Sequence, residues 1–263
     1  MKTDFETLAV AVDERGVAAL TLNRPERKNA LSATMMDELT AFARFAEGDK
    51  AIRAVVLSGS EGTFCAGADL SWMMTQIEAD RAGRMAEARR LAIMLKALNE
   101  MPVPLIGQVE GVAMGGGVGM ACICDVAIAD EDCRFGFTET RLGIIPATIG
   151  PYVLARMGEG RARRVFMNAR LFNGVEAAEL GIVARAVPAG ELSDAIEAEV
   201  ASYLKLPRGA VGRAKRLARS LGPTIDEKAI EATIEQLADA WEADEAREGI
   251  SAFLEKRKPV WAQ

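Results

Sequence analysis

The 263-residue chain contains no histidine. This absence excludes Ser-His-Asp and Cys-His catalysis, histidine-ligated metal sites and an imidazole general base. Any proton transfer that the chain catalyses must therefore use a carboxylate, a lysine, a tyrosine, a cysteine or a backbone group.

Long apolar runs, a signal sequence and an excess of positive charge are also missing. No apolar stretch approaches the ~20 residues of a membrane-spanning helix, and the N-terminal sequence MKTDFETLAV lacks the charged and then apolar pattern of a secretory signal. The net charge of −6 argues against a nucleic-acid partner, because phosphate neutralisation needs a basic face. We therefore expect a cytoplasmic protein with neither a membrane nor a nucleic acid as its partner.

The chain has four cysteines, all in apolar or glycine-rich surroundings. Without a secretory signal, they are predicted to be reduced thiols of the core rather than disulfides. Cys122 and Cys124 lie too close together, with too few other ligands nearby, to indicate zinc, so no metal site is expected. Cys65 has no neighbouring cation or histidine that would generate a thiolate, so we expect it to pack rather than to react.

Strand and helix signals alternate along the first part of the chain, and helical periodicity alone continues from about residue 148. Half of the residues are hydrophobic, so a substantial core can be buried. The alternation predicts an α/β fold. The predicted strands cover residues 7–12, 16–22, 53–58, 105–109 and 125–129, the first two as a hairpin. The predicted helices begin near Ala33 after a Ser32 cap, near 91, at 117, at 192 and at 230.

Glycine lies at the bend of two strand–loop–helix units, FCAGADL (64–70) and Gly115-Gly116-Gly117. Glycine allows unusual backbone dihedral angles and lets a ligand come close. The first N–H groups of a helix have no internal partner and carry the positive end of the helix dipole. Two such ends that face each other would form a two-donor oxyanion hole, the alternative being tight turns that only shape the fold.

Five segments resemble successive signatures of the enoyl-CoA hydratase/isomerase superfamily, the crotonases. They are NRPERKNALS (23–32), FCAGADL (64–70), GVAMGGGVGMACICD (111–125), FGFTETRLGIIP (135–146) and FLEKRKP (253–259). Each motif is weak by itself, whereas five in the family's order and spacing are specific. The resemblance covers essentially the whole chain, from residue 20 to the C-terminus.

The resemblance implies a crotonase (ClpP-like) spiral of ββα units with a C-terminal helical trimerisation region. Residues 1–198 are assigned to the spiral core with the acyl-CoA site, and residues 199–263 to helical oligomerisation. The expected assembly is a homotrimer or a dimer of trimers. The expected substrate is an acyl-coenzyme A thioester, and no prosthetic cofactor is expected because coenzyme A is part of the substrate.

The resemblance also implies roles for individual residues. The backbone N–H groups of Ala68 and Gly116 correspond to the family's two oxyanion donors, and Glu139 corresponds to the second of its two glutamates. The residues expected to contact the thioester or coenzyme A are Arg24, Lys28, Ala30, Ala66, Ala68, Asp69, Leu70, Gly115, Gly116, Phe253 and Lys256.

Several of these residues have a proposed partner on coenzyme A. Arg24 and Lys28 are candidates to bind the phosphates. Lys256 and Lys258 from a neighbouring subunit are further candidates, the alternative for all four being ordinary surface charge. Phe253 either covers the adenine or anchors a helix.

One residue departs from the family's pattern. Family hydratases place two glutamates across the substrate double bond, and the first of them falls on Gly119 here. Family isomerases shift a double bond with a single glutamate near the position of Glu139. The sequence also resembles a bacterial subgroup of methylglutaconyl-CoA or carboxygeranoyl-CoA hydratases. We therefore predict an enoyl-CoA hydratase that uses Glu139 alone, with an isomerase or a non-catalytic acyl-CoA-binding protein as alternatives.

Three positions of the site carry further expectations. In an apolar pocket the pKa of Glu139 would rise toward neutrality, which a group that takes and returns a proton requires. The alternative is that Glu139 is a solvated loop residue. Asp69 either assists the chemistry or stabilises a helix N-terminus. Gly119 is expected to leave space for a branched or carboxylated acyl chain or for an extra water.

Overall fold

The computed structural model describes residues 4–262. Its strands in chain order are β1 (Leu8–Val12), β2 (Val17–Leu22), β3 (Ala54–Gly59), β4 (Leu105–Val109), β5 (Val112–Met114), β6 (Val126–Asp130), β7 (Arg134–Gly136), β8 (Leu171–Phe172) and β9 (Arg185–Val187). A six-stranded sheet has the order β1-β2-β3-β4-β6-β9, and a three-stranded sheet has the order β5-β7-β8. Strand β1 runs antiparallel to β2 with Leu8 opposite Leu22, which confirms the predicted hairpin.

The α-helices alternate with these strands and then continue alone, which confirms the predicted α/β class. They are α1 (Ala33–Gly48), α2 (Leu70–Glu78), α3 (Arg81–Glu100), α4 (Gly116–Ile123), α5 (Gly150–Met157), α6 (Glu159–Phe166), α7 (Gly174–Glu179), α8 (Leu192–Leu204), α9 (Arg208–Leu221), α10 (Glu227–Glu242) and α11 (Asp244–Leu254). Short 3-10 helices cover Pro25–Arg27, Ser60–Gly62, Glu139–Leu142, Ala189–Glu191 and Val260–Ala262. None of the helices between residues 4 and 262 combines the length and the apolar character of a membrane-spanning segment.

Successive ββα units bring the ends of their strands to one edge. Strand β4 leads into β5 and then α4, and β6 leads into β7 and then the 3-10 helix that begins at Glu139. Equivalent strands pair in parallel, β4 with β6 and β5 with β7. The loop after β3 joins this arrangement through a parallel bridge between Cys65 and Ala113. The segments that follow the short strands therefore emerge side by side.

The core lies on both faces of the large sheet. One face packs against α1, α3 and α4, where Phe42 and Met94 are fully buried. Helix α1 begins as predicted, because the Ser32 hydroxyl accepts a hydrogen bond from the N–H of Met35 at 3.2 Å. The other face is covered by α8, whose Ile196 lies in a buried cluster with strand residues of the large sheet. This packing fixes the sheet that carries the loops described below.

The C-terminal helices pack on the rest of the same chain. Ile230 and Ile234 of α10 lie against α3, and Ile250 of α11 lies against Ile144. Helix α8 is continuous from Leu192 to Leu204, so the predicted boundary between residues 198 and 199 falls inside a helix. The division into a core and an oligomerisation region stays a prediction.

Candidate active site

A cavity of about 490 Å³ lies where the loop ends of the small sheet meet α2, α3 and α10. Of the residues predicted to contact a substrate, those on its wall are Lys28, Ala30, Ala66, Ala68, Asp69, Leu70, Gly115, Gly116, Glu139 and Phe253. Arg24, Lys256 and Lys258 are not among the described residues that line the cavity. The structure thus gathers most of the predicted set in one place, and the role of each residue there stays a prediction.

The backbone N–H groups of Ala68 and Gly116 reach this cavity at equivalent positions. Cys65 and Ala113 are partners in a parallel bridge, and the N–H of Met114 donates to the carbonyl of Cys65 at 3.0 Å. Ala68 and Gly116 each follow their bridge residue by three positions, so the two loops approach the cavity in register. Neither N–H donates to a protein acceptor within the described part of the chain. Both are therefore available to an oxygen of a ligand.

Glycine is needed at the bend before α4. Gly115 has φ +47° and ψ −111°, a backbone conformation that L side chains rarely adopt. A β-carbon at Gly115 would also lie 2.8 Å from Oε1 of Glu139. The carboxylate of Glu139 thus lies directly over this glycine.

Glu139 begins the 3-10 helix that follows β7. Its Oε2 atom is buried and has no hydrogen-bond partner among residues 4–262. Burial raises the pKa of Glu139 from 4.5 to about 7, a rise that a backbone hydrogen bond only partly offsets. Both protonation states are therefore populated near neutral pH, which suits a group that takes and returns a proton.

Asp69 lines the cavity, but its carboxylate is committed to the protein. Oδ1 accepts hydrogen bonds from the N–H groups of Ser71 and Trp72, at 2.8 and 3.2 Å, and so caps α2. Oδ2 accepts from Arg24 at 2.9 Å. Burial acts to raise the pKa of Asp69, but the hydrogen bonds from Trp72 and Arg24 hold it below its usual range. Of its two predicted roles, helix stabilisation is the one that these contacts support.

The same contacts occupy the side chain of Arg24, whose role toward the phosphates of coenzyme A stays a prediction. Its guanidinium group donates to Asp69 and, at 2.8 Å, to the carbonyl oxygen of Ala30. Arg24 thereby ties the loop before α1 to the N-terminus of α2 instead of presenting its charge to the cavity.

The expected open space at Gly119 is absent, because Ile149 fills it. Gly119 is buried in α4, and a β-carbon there would lie 2.4 Å from Cγ2 and 2.9 Å from Cβ of Ile149. Ile149 is itself buried and lines the cavity. The expectation of room at Gly119 for a branched or carboxylated chain, or for an extra water, is therefore wrong.

The cations on the wall are only partly those expected. Lys28 lines the cavity as predicted, and so do Arg27 and Arg141, which sequence reasoning missed. Both arginines lie inside the motif segments that carried the resemblance. Lys256 and Lys258 are exposed and lie elsewhere in the chain described here.

An apolar and aromatic part of the wall was also missed. Its side chains are Trp72, Met73, Leu91, Leu237 and Trp241. Leu237 and Trp241 lie on the helix that the 3.6-residue period predicted from residue 230, but a local period does not say which distant segment a helix face covers. This part of the wall can bury an apolar group of a ligand.

The cysteines are core residues, as predicted. Cys65, Cys122, Cys124 and Cys133 are all free and buried. Burial raises the pKa of Cys65 to about 12, so a reactive thiolate does not form at neutral pH.

The chain is similar to known proteins over almost its whole length. A family model described as enoyl-CoA hydratase/isomerase matches residues 13–263. A Mycobacterium bovis protein named "Probable enoyl-CoA hydratase echA8" is 33% identical in an alignment of 265 positions that covers 97% of each chain.

Two solved structures extend the comparison. An enoyl-CoA hydratase from Mycobacterium avium is 31% identical with a TM-score of 0.84, over 97% of this chain and 99% of its own. Pseudomonas aeruginosa AtuE is 38% identical with a TM-score of 0.78, over 98% of this chain and 100% of its own.

Proposed function

Because the chain belongs to the enoyl-CoA hydratase/isomerase family, the crotonases, we propose that it adds water to a 2-enoyl-coenzyme A thioester. Glu139 is the acid–base group in this proposal, and the N–H groups of Ala68 and Gly116 bind the thioester oxygen. The names of the M. bovis and M. avium relatives support hydration of an enoyl-CoA.

The thioester oxygen would accept hydrogen bonds from both free N–H groups. Gly116 is the first residue of α4, so its N–H also lies at the positive end of a helix dipole. Negative charge develops on this oxygen as water adds, and one donor of this kind is worth about 10²–10³-fold in rate. Lys28 and Arg27 supply positive charge on the same wall for the phosphates of coenzyme A.

Glu139 carries the proton in both halves of the reaction. As a carboxylate it removes a proton from water while the water oxygen bonds to the β-carbon. The electron pair of the double bond moves onto the thioester oxygen and gives an enolate. Glu139 then returns the proton to the α-carbon, and the enolate electrons form the new C–H bond. The sum is H and OH added across the double bond, with Glu139 again ionised.

The observation that carries this proposal is the unpartnered Oε2 atom of Glu139. A buried carboxylate oxygen without a partner costs at least ~1–3 kcal/mol, so a purely structural glutamate would be paired. Here it shares a cavity with two N–H groups that also have no protein partner among the described residues.

A double-bond isomerase is the second candidate, and Ile149 favours it. With Ile149 packed over Gly119, there is no room for the first glutamate side chain of a two-glutamate hydratase. Glu139 alone can remove a proton from the α-carbon of a 3-enoyl-CoA and return it to the γ-carbon, through a dienolate whose oxygen the same N–H donors would bind.

The acyl chain would lie against the apolar wall that includes Trp72, Leu91 and Trp241. This wall favours a branched or extended apolar chain. A carboxylated chain such as 3-methylglutaconyl is the alternative, and Arg141 is the cation on the wall that favours it.

The direct test is the mass change of a panel of thioesters incubated with the purified protein. The panel holds 2-enoyl-, 3-enoyl- and 3-methylglutaconyl-CoA. A gain of one water from a 2-enoyl-CoA is expected. Conversion of a 3-enoyl-CoA to its conjugated isomer without any mass gain would establish the isomerase instead. Tight binding with no conversion of any thioester would indicate a non-catalytic acyl-CoA-binding protein.

We also propose a homotrimer or a dimer of trimers, with residues 199–263 supplying much of the contact. Leu217 and Leu221 on α9 are 61% and 80% exposed, and exposed apolar side chains on one helix mark an association surface. Light scattering at micromolar concentration is expected to give the mass of three or six chains. The mass of one chain would contradict this assembly.

A further inference from the structure

Two buried side-chain oxygens on the cavity wall lack a hydrogen-bond partner in the chain from residue 4 to 262. One is Oε2 of Glu139, and the other is Oγ1 of Thr148. Thr148 is only 5% exposed. By contrast, the buried hydroxyl of Thr40 donates to the carbonyl of Met36 at 2.8 Å, as buried hydroxyls usually do. The hydroxyl of Thr148 is therefore uncommitted inside the site.

The turn that carries Thr148 also carries Ile149. The N–H of Gly150 donates to the carbonyl of Ala147 at 2.9 Å and closes this turn. The N–H of Tyr152 donates to the carbonyl of Ile149 at 3.1 Å, which joins the turn to α5. This turn thus fills the space above Gly119 with the side chain of Ile149 and places the hydroxyl of Thr148 on the cavity wall beside it.

We propose that Thr148, together with Glu139, holds the water that adds to the substrate double bond. The inference rests on the hydration proposed above and assigns the second contact to that water. A hydroxyl can accept as well as donate a hydrogen bond. Being neutral, it does not repel a carboxylate, whereas two carboxylates that share a site disfavour each other's ionised form.

The proposed geometry leaves the reaction balanced. The water donates one hydrogen to the carboxylate of Glu139 and the other to Oγ1 of Thr148, so that a lone pair points at the β-carbon. When the C–O bond forms, the first hydrogen moves to Glu139 and the electron pair of the double bond moves to the thioester oxygen. Glu139 passes that proton to the α-carbon. Thr148 keeps its own proton throughout.

The test separates water addition from proton transfer. Hydration of a 2-enoyl-CoA needs the bound water, Glu139 and the N–H donors. Exchange of the α-hydrogens of a saturated acyl-CoA in deuterium oxide needs Glu139 and the donors but no adding water. Thr148→Val removes the hydroxyl and keeps the shape, whereas Thr148→Ser keeps the hydroxyl. Thr40→Val is the matched control, because it removes a buried hydroxyl outside the cavity wall.

Thr148→Val is expected to lower hydration about tenfold or more, the size of one lost hydrogen bond to a reacting group. Its exchange rate is expected to stay within about twofold of the wild type. Thr148→Ser is expected to retain most of the hydration, and Thr40→Val to retain both rates. If Thr148→Val does not fold, Thr148→Ala provides the same comparison without the added methyl group.

Two results would overturn the assignment of Thr148. Unchanged hydration in Thr148→Val would show that its hydroxyl does not hold the water. An equal loss of hydration and exchange would assign Thr148 to the shape of the site. Glu139→Gln is the separate check on the proposed function, because retention of both rates in that variant would refute the role of Glu139 whatever Thr148 does.

Discussion

The wall of the cavity around Glu139 differs sharply from the wall around Gly119 and Ile149. At Glu139 a carboxylate oxygen is buried without a partner, and burial raises its pKa to about 7. At Gly119 the chain has no side chain, and Ile149 occupies the space above it. Of the family's two glutamate positions, one thus holds the buried carboxylate of Glu139, and the other holds Gly119 beneath the side chain of Ile149. Because Ile149 occupies this space, the missing side chain at Gly119 leaves no hole in the wall.

The largest effect, on turnover, is expected from removing the carboxylate of Glu139. Glu139→Gln should lower turnover by about 10²–10⁴-fold, toward the upper end, because no histidine or second glutamate can take over the proton. Acyl-CoA binding should change little, since the N–H donors and the cations of the wall remain. Turnover on the best thioester and the dissociation constant of a substrate analogue check both statements.

The matched control for that variant is Glu47→Gln, which makes the same chemical change at an exposed position of α1. It should leave both quantities unchanged. A loss of less than about tenfold in Glu139→Gln would mean that another group carries the proton.

The same variant should be more stable than the wild type at neutral pH. The pKa of Glu139 is about 7 in the folded protein and near 4.5 in the unfolded chain. Between those values the unfolded chain releases a proton that the folded protein keeps, so the wild type loses stability relative to Glu139→Gln as the pH rises. The expected gain of the variant is roughly 3 kcal/mol above pH 7.

Urea unfolding of both proteins at several pH values measures this difference. The two unfolding free energies should differ least below about pH 4, where the carboxyl is largely protonated in both the folded and the unfolded state. A difference that does not depend on pH would contradict the burial of an ionisable Glu139.

The contact between Gly119 and Ile149 predicts a smaller effect on stability, and the sign of that effect depends on whether Ile149 is present. Gly119→Ala should destabilise the protein by about 1–3 kcal/mol, because its methyl group collides with Ile149. In an Ile149→Ala background the same substitution should instead stabilise by up to ~1 kcal/mol, since alanine is favoured over glycine inside a helix. Thermal or urea unfolding of the four proteins of this cycle measures the coupling.

Gly160→Ala is the control for that cycle, because a β-carbon at Gly160 meets nothing within 4 Å. It should be neutral or slightly stabilising in either background. Equal effects of Gly119→Ala with and without Ile149 would show that these two residues are not coupled.

Local sequence signals were sufficient for the elements that depend on neighbouring residues. The hairpin followed from two alternating runs, the start of α1 from the Ser32 cap, and the bends at Gly67 and Gly115 from glycine itself. Both glycines do have positive φ values. The paired approach of Ala68 and Gly116 came only from the family resemblance, because their register depends on a bridge between distant strands.

What the sequence did not provide are contacts between segments that lie far apart. The side chain of Ile149 lies over Gly119, thirty positions earlier in the chain, and no periodic pattern links the two. The guanidinium group of Arg24 meets Asp69, 45 positions later in the chain, although a phosphate partner was expected. Trp241 reaches the cavity only because α10 packs on α3.

The central claim is that one carboxylate, Glu139, performs all of the proton transfer. The pH dependence of kcat/KM for hydration tests it most directly, because this ratio reports the ionisations of the free enzyme. Glu139 must start as a carboxylate, so we predict that kcat/KM rises with pH through one ionisation near pH 7 and then stays level. A bell-shaped profile would reveal a second catalytic acid, and a profile with no ionisation between about pH 5 and 9 would contradict the role of Glu139.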